Sequence, residues 1–133
     1  HDLSYIDPAT GLQKDAQGRF ATLGNGRHKV PPAQYEKNLR ELVARLKKTG
    51  AKLIWATTTP VPGTFRVYVK GDDAEYNKIA TRVMKELGIA IDDLGEFARP
   101  QLEKIQLKDN VHFTPQGSEV LAGQVVKSIE AVL

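Results

Sequence analysis

Cysteine is absent from this chain of 133 residues, which excludes disulfides, thiolate metal sites and cysteine nucleophiles. Long apolar runs are absent too, and none approaches the roughly 20 residues that a membrane-spanning helix needs. The start lacks a basic stretch followed by an apolar core, so no leader is predicted. Because the first residue is His1 and not methionine, we expect a processed, trimmed or fragmentary chain, with residues 1–133 forming a single domain.

A strong excess of charge of either sign is also lacking. Lysine and arginine exceed aspartate and glutamate by 19 − 16 = +3. The basic residues are enriched in 1–52, but they form no dense stripe with interleaved aromatic side chains. This pattern favours an ordinary solvated surface over a nucleic-acid interface, so we predict no nucleic-acid partner.

The first quarter of the chain consists mainly of turn-forming residues. Residues 7–32 have no apolar periodicity, which predicts a long loop. A helix is predicted to start near Pro32 and to stop at Gly50. Its apolar face is predicted to contain Tyr35, Leu39, Leu42, Val43 and Leu46.

Two short apolar runs predict strands. Residues 53–56 are apolar on both faces, as in a central parallel strand that helices cover, and a rigid turn over 60–63 follows. Residues 89–91 form the second strand, and we expect Asp92 and Asp93 after it to be solvated. Ligands bind beyond the carboxyl ends of such strands, so the threonines around Thr58 form a candidate site wall, with a plain strand end as the alternative.

Further helices are predicted over 73–87, over 96–105 with an interruption at Pro100, and from Pro115 to about Val132. The first has Asp72 or Asp73 as its N-cap, and the last has Thr114. The alternation of helices and strands predicts a parallel α/β sheet, although two strands are too few for a stable one. The predicted buried positions are Tyr76, Ile79, Ala80, Val83, Met84 and Leu87 in the first helix and Leu121, Val125, Ile129 and Val132 in the last.

Asp109 and His112 form the most suggestive pair of polar residues. They lie three residues apart in a polar loop before the last helix. A carboxylate in that position can accept a hydrogen bond from imidazole Nδ1 and leave Nε2 free as a general base. The spacing alone also fits a turn aspartate beside a surface histidine.

No nucleophile accompanies this pair in an expected context. The only serines are Ser4, Ser118 and Ser128, and none lies in a Gly-x-Ser-x-Gly elbow. Threonine nucleophiles normally use a terminal amine, which leaves Thr57–Thr59 without support. The residues therefore supply a base and an acid that orients it, with no convincing group to activate.

Metal and phosphate sites have weaker support. The candidate metal ligands His1, His28, Asp109 and His112 do not follow a metal-binding spacing, so we predict no metal and no cofactor. The glycines at 24–26 have no preceding strand and no Gly-Lys-Ser/Thr ending, which a phosphate-binding loop requires.

The stretch Asp-Asn-Val-His-Phe-Thr-Pro-Gln-Gly at 109–117 resembles the last block of the SGNH hydrolases, the GDSL-type esterases and lipases. Residues 35–62, Tyr76-Asn77, Ile79-Ala80 and 91–94 are similar to the helices and strands that precede this block in bacterial members. The resemblance covers nearly the whole chain. It implies a three-layer α/β/α, flavodoxin-like fold that is incomplete at its N-terminus.

For the site, the resemblance implies a serine esterase in which His112 is the general base and Asp109 orients it. The nucleophilic serine belongs to an upstream Gly-Asp-Ser block that this chain lacks. His1-Asp2 would fall on an Asn-Asp pair of the family, so His1 would replace an asparagine of the oxyanion hole. Thr58 is the other candidate oxyanion or substrate-binding residue.

The expected substrates are small acyl esters such as acetylated sugars, and a secreted or periplasmic location is expected from the resemblance alone. We also expect the chain to pack against another chain or against a missing N-terminal segment. The alternative is a non-catalytic remnant, a binding or scaffolding module that has lost its nucleophile.

Overall fold

The structure, a computed structural model, describes residues 1–62 and 66–133. Gly63, the last residue of the predicted turn over 60–63, lies outside the described residues. In these ranges the strands are β1 (Tyr5–Ile6), β2 (Arg27–His28), β3 (Ile54–Ala56) and β4 (Ala90–Asp92). The helices are α1 (Pro32–Lys47), α2 (Asp72–Glu86), α3 (Leu94–Ala98), α4 (Leu102–Ile105) and α5 (Pro115–Glu130), with a 3₁₀ turn at Arg99–Gln101.

The central feature is a parallel pair of strands between two helical layers. β3 pairs with β4 in parallel, with Trp55 opposite Ile91. Ile91 packs against the core that α1 and α2 form, whereas the carboxylate of Asp92 accepts a hydrogen bond from Gln124 of α5 at 3.0 Å. Because neighbouring strand residues point to opposite faces, helices lie on both sides of the pair. The predicted α/β/α class with a parallel sheet is confirmed.

The core lies between α1, α2 and the strands, and it follows the predicted periodicity of α2. Tyr76, Ala80, Val83 and Met84 are buried there. The α1 prediction is only partly right: Tyr35, Leu39 and Val43 are buried, but Leu42 and Leu46 are 46% and 40% exposed. The described residues therefore cover these two leucines only in part.

Residues 53–56 are predicted to form a central strand with missing strands on one side, and in the described part of the chain one edge of β3 is indeed unpaired. There β3 pairs with β4 alone, so its other edge carries unpaired backbone groups. Ala56 is exposed, and Ile54 and Trp55 are only half-buried. The described elements therefore leave part of this apolar run uncovered, and β3 is an edge strand.

Residues 7–32 are not simply a loop. Tyr5 and Ile6 pair antiparallel with His28 and Arg27, and Ala21 is almost fully buried in the core. The apolar residues of this segment are too scattered to produce a period, so the sequence pattern did not reveal that they pack. The segment forms a small two-stranded platform beside α1 and α2.

The N-cap predicted for α2 is also wrong. Gly71 occupies that position with φ at 97°, and Asp72 and Asp73 lie in the first turn, where their charges favour the helix N-terminus. A residue with a Cβ rarely adopts this backbone conformation, which explains the glycine.

Asp92 departs from the prediction of a solvated strand end because it is only 2% exposed. Its Oδ1 accepts from Gln124, and within the described residues its Oδ2 has no hydrogen-bond partner. Asp93, by contrast, is exposed, and its side chain accepts from the N–H of Glu96 to cap α3.

The last helix starts as predicted. The Thr114 hydroxyl accepts from the N–H of Gly117 at 2.9 Å. Its predicted apolar face is less buried than expected, since Ile129 is 43% exposed and Gly117 is the buried residue of the helix. In the described ranges no helix is both long and apolar enough to cross a membrane.

Candidate active site

A cleft of about 350 Å³ opens at the carboxyl end of β3. Thr58, Thr59 and Pro60 line it after the strand, and His112 lines it from the loop before α5. His1 lies in the same cleft. Three of the four predicted site residues therefore share one concave surface, at the edge where ligands bind in open α/β sheets.

Local hydrogen bonds fix the loop that carries His112. The backbone N–H of Leu107 donates to the His112 carbonyl at 3.0 Å, and the His112 N–H donates to Asn110 Oδ1 at 3.1 Å. Gln106 and Phe113 form an isolated antiparallel bridge at the base of the loop. These bonds hold the backbone of His112, while its side chain remains exposed at the cleft.

The same loop contains Asp109, whose φ of 51° lies in the left-handed region. Aspartate is one of the few residues besides glycine that adopt this conformation readily. The residue lines a separate groove with Leu102, Glu103 and Gln106, on the α4 side of the loop. The structure thus brings Asp109 into the loop of His112 but does not bring it into the His112 cleft.

Hydrogen bonds to α2 and to the start of α3 hold the cleft wall that contains Thr58. The side chain of Asn77 in α2 forms two hydrogen bonds with the Thr58 backbone, one to its N–H and one to its carbonyl. The hydroxyl of buried Thr57 donates to Asp93 Oδ1 at 2.9 Å and accepts from the Gly95 N–H at 2.8 Å. Because the Thr58 N–H is already used, the hydroxyl is the Thr58 group left for a ligand.

The other end of this wall is attached to the loop of His112. Gln106 Nε2 donates to the Pro60 carbonyl at 3.0 Å. Gln106 is also the residue that pairs with Phe113. The two sides of the cleft therefore share a direct connection.

The first residues of the chain are held against the cleft. Ser4 is fully buried, and both its N–H and its hydroxyl donate to the His1 carbonyl, at 3.2 and 2.7 Å. The N–H of Val30 donates to the Asp2 carbonyl at 3.0 Å. His1 therefore lines the cleft from a fixed backbone.

None of the serines, all of which the structure describes, lines the His112 cleft. Ser4 is buried within its own turn, and the hydroxyl of Ser118 donates back to the Thr114 carbonyl at 3.1 Å. Ser128 lies further along α5, where its hydroxyl oxygen accepts from Gln124 at 3.5 Å. The described residues bring no serine to His112.

A second cavity of about 290 Å³ adjoins the first, since His1, Leu3 and Thr58 line both. It follows the free edge of β3 beside Trp55 and Ala56 and continues along α1. The indole Nε1 of Trp55 is buried, and no described residue accepts its hydrogen bond. Burial, reinforced by the charge of Asp2, raises the pKa of Tyr35 in this cavity to about 12.

Several cleft residues were not predicted. Gln13, Arg66 and Tyr68 lie far from His112 in the sequence and in no recognisable motif, so only the fold brings them to the cleft. Burial raises the pKa of Tyr68, which keeps its hydroxyl protonated at neutral pH. No group of three or more potential metal ligands occurs among the residues that the structure describes.

Comparison with known proteins gives a family and two related folds. The model of the GDSL-like lipase/acylhydrolase family matches residues 12–120, well over half of the chain. The lipase/acylhydrolase from Enterococcus faecalis superposes with a TM-score of 0.69 at 21% sequence identity, over 78% of this chain and 54% of that one. Among curated proteins none matches significantly.

LAE5, an alpha/beta hydrolase enzyme from the metagenome of Lake Arreo in Spain, superposes with a TM-score of 0.62 at 27% identity. The match covers 77% of this chain and 48% of LAE5. The chain therefore spans about half the length of both solved structures.

Proposed function

Since this chain belongs to the GDSL-like lipase/acylhydrolase family, we propose that it supplies the acid–base part of an ester hydrolase. His112 is the general base, Asp109 orients it, and the nucleophilic serine comes from a segment that precedes His1. The substrates are small acyl esters, acetyl esters of carbohydrates among them. The observation that carries this proposal is the His112 side chain in a cleft at the carboxyl end of β3.

The reaction proceeds by acyl transfer to the serine and then to water. Nε2 of His112 takes the serine proton as the hydroxyl oxygen attacks the ester carbonyl, and it returns that proton to the leaving alcohol. Water then attacks the acyl-serine with His112 again accepting a proton, which is returned to the serine as the acid leaves. The Asp109 carboxylate holds the imidazole in the required tautomer and stabilises the imidazolium.

Oxyanion stabilisation needs donors where negative charge develops. His1 and the hydroxyl of Thr58 line the same cleft as His112, which supports a role for both in binding the ester carbonyl or the neighbouring substrate groups. The Thr58 N–H is excluded from this role, because it donates to Asn77.

We further propose that the segment carrying the serine adds a strand to the free edge of β3. Three observations support this location: unpaired edge groups on β3, the buried and unsatisfied Nε1 of half-buried Trp55, and the exposed side chain of Leu42 beside them. The cavity along this edge shares His1, Leu3 and Thr58 with the His112 cleft, so a segment bound along the edge would border that cleft.

A non-catalytic binding module is the second candidate. The observation that favours it is that no serine of the chain lines the His112 cleft. A module of this kind would bind an ester without turnover, both in this chain and in the longer protein.

Hydrolysis of a short p-nitrophenyl ester by the protein in its longest natural form separates the two candidates. His112→Ala is expected to lower kcat by roughly 100- to 10,000-fold, because it removes the general base. His28→Asn is the matched control, since His28 pairs with Asp72 Oδ2 at 2.9 Å and does not line the cleft. Equal activity in His112→Ala and the control would exclude this role, and no turnover in any form would favour the binding module.

A further inference from the structure

We propose that Arg66 selects acyl esters that carry a carboxylate in addition to the ester group. The inference rests on the proposed function, because it assigns a substrate class to the His112 cleft. Arg66 is exposed and lines this cleft together with His112 and Thr58. Its guanidinium presents a planar set of N–H donors that matches a carboxylate with two parallel hydrogen bonds.

Arg66 gives the cleft a positive charge that no described lining residue offsets. Among the described lining residues there is no aspartate or glutamate, and the arginine guanidinium is always protonated at neutral pH. Asp2 and Asp109 line neighbouring concavities and not this one. A cleft with charges of one sign attracts ligands of the opposite sign and disfavours those of the same sign.

A second cation lies near the same aromatic ring as Arg66. The ring of Phe20 lies 4.7 Å from Lys14 Nζ and 5.7 Å from the guanidinium carbon of Arg66. Phe20 is half-buried, and an antiparallel bridge pairs it with Lys14. Phe20 therefore has two cations near one ring, which adds to the positive potential around Arg66.

The position of Arg66 fits selection of a remote group and not catalysis. Its backbone has φ at 52°, the left-handed region, just before Val67, whose carbonyl accepts from the Tyr5 N–H at 2.9 Å. The neighbouring chain is thereby attached to β1. A substrate with its ester group at His112 and a carboxylate at Arg66 would lie within the one cleft that both residues line.

A pair of unreactive ligands tests the proposal without turnover. Succinamate and succinamide have nearly the same size, but only succinamate carries a carboxylate. Binding is followed by NMR through the amide shifts of Thr58 and Thr59, in the protein in its longest natural form. We expect succinamate to bind about tenfold more tightly at low salt, with a smaller preference at high salt.

Variants assign this preference to one side chain. Arg66→Gln is expected to remove the preference for succinamate over succinamide, and Arg66→Lys is expected to retain part of it. Arg45→Gln, an equal charge change at an exposed position of α1 away from the cleft, should leave it intact. Thermal melting of each variant establishes that it is folded.

The proposal is overturned if succinamate binds no better than succinamide, if neither shifts the cleft amides, or if Arg66→Gln keeps the preference. Because these measurements need no hydrolysis, a protein that binds succinamate selectively but hydrolyses no ester would overturn the proposed function alone.

Discussion

The side-chain amide of Asn77 forms two hydrogen bonds with the backbone of Thr58. Its Oδ1 accepts from the Thr58 N–H at 2.8 Å, and its Nδ2 donates to the Thr58 carbonyl at 2.7 Å. The two bonds connect the middle of α2 to the end of β3. The two bonds therefore hold the Thr58 part of the cleft wall in place.

Removing this clamp should destabilise the protein. Asn77→Ala leaves two half-buried backbone groups without partners, and we expect a loss of about 1–3 kcal/mol in the free energy of unfolding. Asn77→Asp retains the acceptor but sets a carboxylate oxygen against the Thr58 carbonyl oxygen, so it should also be destabilising at neutral pH. Urea denaturation followed by circular dichroism measures both. Equal stability of Asn77→Ala and the wild type would show that the clamp is unimportant.

Substitution of glycine by alanine should have opposite effects on stability at two positions of α5. A Cβ at Gly117 would overlap the carbonyl group of Ile105, whereas a Cβ at Gly123 would meet open space. Gly117→Ala is therefore expected to cost roughly 1–3 kcal/mol by overpacking. Gly123→Ala should stabilise the protein by about 0.5–1 kcal/mol, because alanine loses less backbone entropy in a helix. Thermal and urea unfolding compare the two, and a stable Gly117→Ala would contradict the close packing of α4 on α5.

Substitutions at Asp109 should separate its backbone role from its chemical role. Its φ of 51° predicts that Asp109→Ala loses about 1–2 kcal/mol more stability than Asp109→Gly does. If the carboxylate also orients His112, both variants lose ester hydrolysis by roughly 100- to 10,000-fold. Denaturation and kcat are measured on the same preparations. A stable and active Asp109→Gly would show that the carboxylate has no catalytic role.

The ion pairs between α1 and α2 predict a specific acid sensitivity. Hydrogen bonds from Arg82 and Arg40 lower the pKa of Glu36 from 4.5 to about 2. A carboxylate whose pKa is lower in the folded state stabilises the protein above its unfolded pKa. This contribution is fully present above pH 4.5 and is lost as the pH falls through about 2.

At pH 7, Glu36→Gln should therefore have a lower melting temperature than the wild type. Between pH 4.5 and 2, the melting temperature of Glu36→Gln should fall less than that of the wild type. Glu41→Gln is the control on the same helix, since Glu41 has only a 3.8 Å pair with Lys37. An identical pH profile for Glu36→Gln and the wild type would rule out this contribution.

The helices were predictable from sequence where one buried face and its end signals agree. Tyr76, Ala80 and Val83 follow the helical period, and the Thr114 cap and the Gly50 and Gly88 stops have local causes. The cleft at the end of β3 followed from the general behaviour of parallel sheets. Local sequence determines such features, so they need no knowledge of distant contacts.

The remaining features depend on contacts between distant segments. Asp92 is buried because α5 packs over it, and a strand-end aspartate gives no local sign of this. Leu42 and Trp55 have the pattern of core residues, but only the full set of neighbours determines how far they are covered. Arg66 and His112 meet in one cleft through the fold alone.

The most direct test of the account is labelling with a fluorophosphonate probe, read by peptide mass spectrometry. In the protein in its longest natural form, we predict one label on a serine that precedes His1, at a rate that His112→Ala lowers by at least roughly 100-fold. The 133-residue chain alone should remain unlabelled. Stoichiometric labelling of Ser4, Ser118 or Ser128, or a rate unaffected by His112→Ala, would contradict the assignment of His112 as the base that activates an external serine.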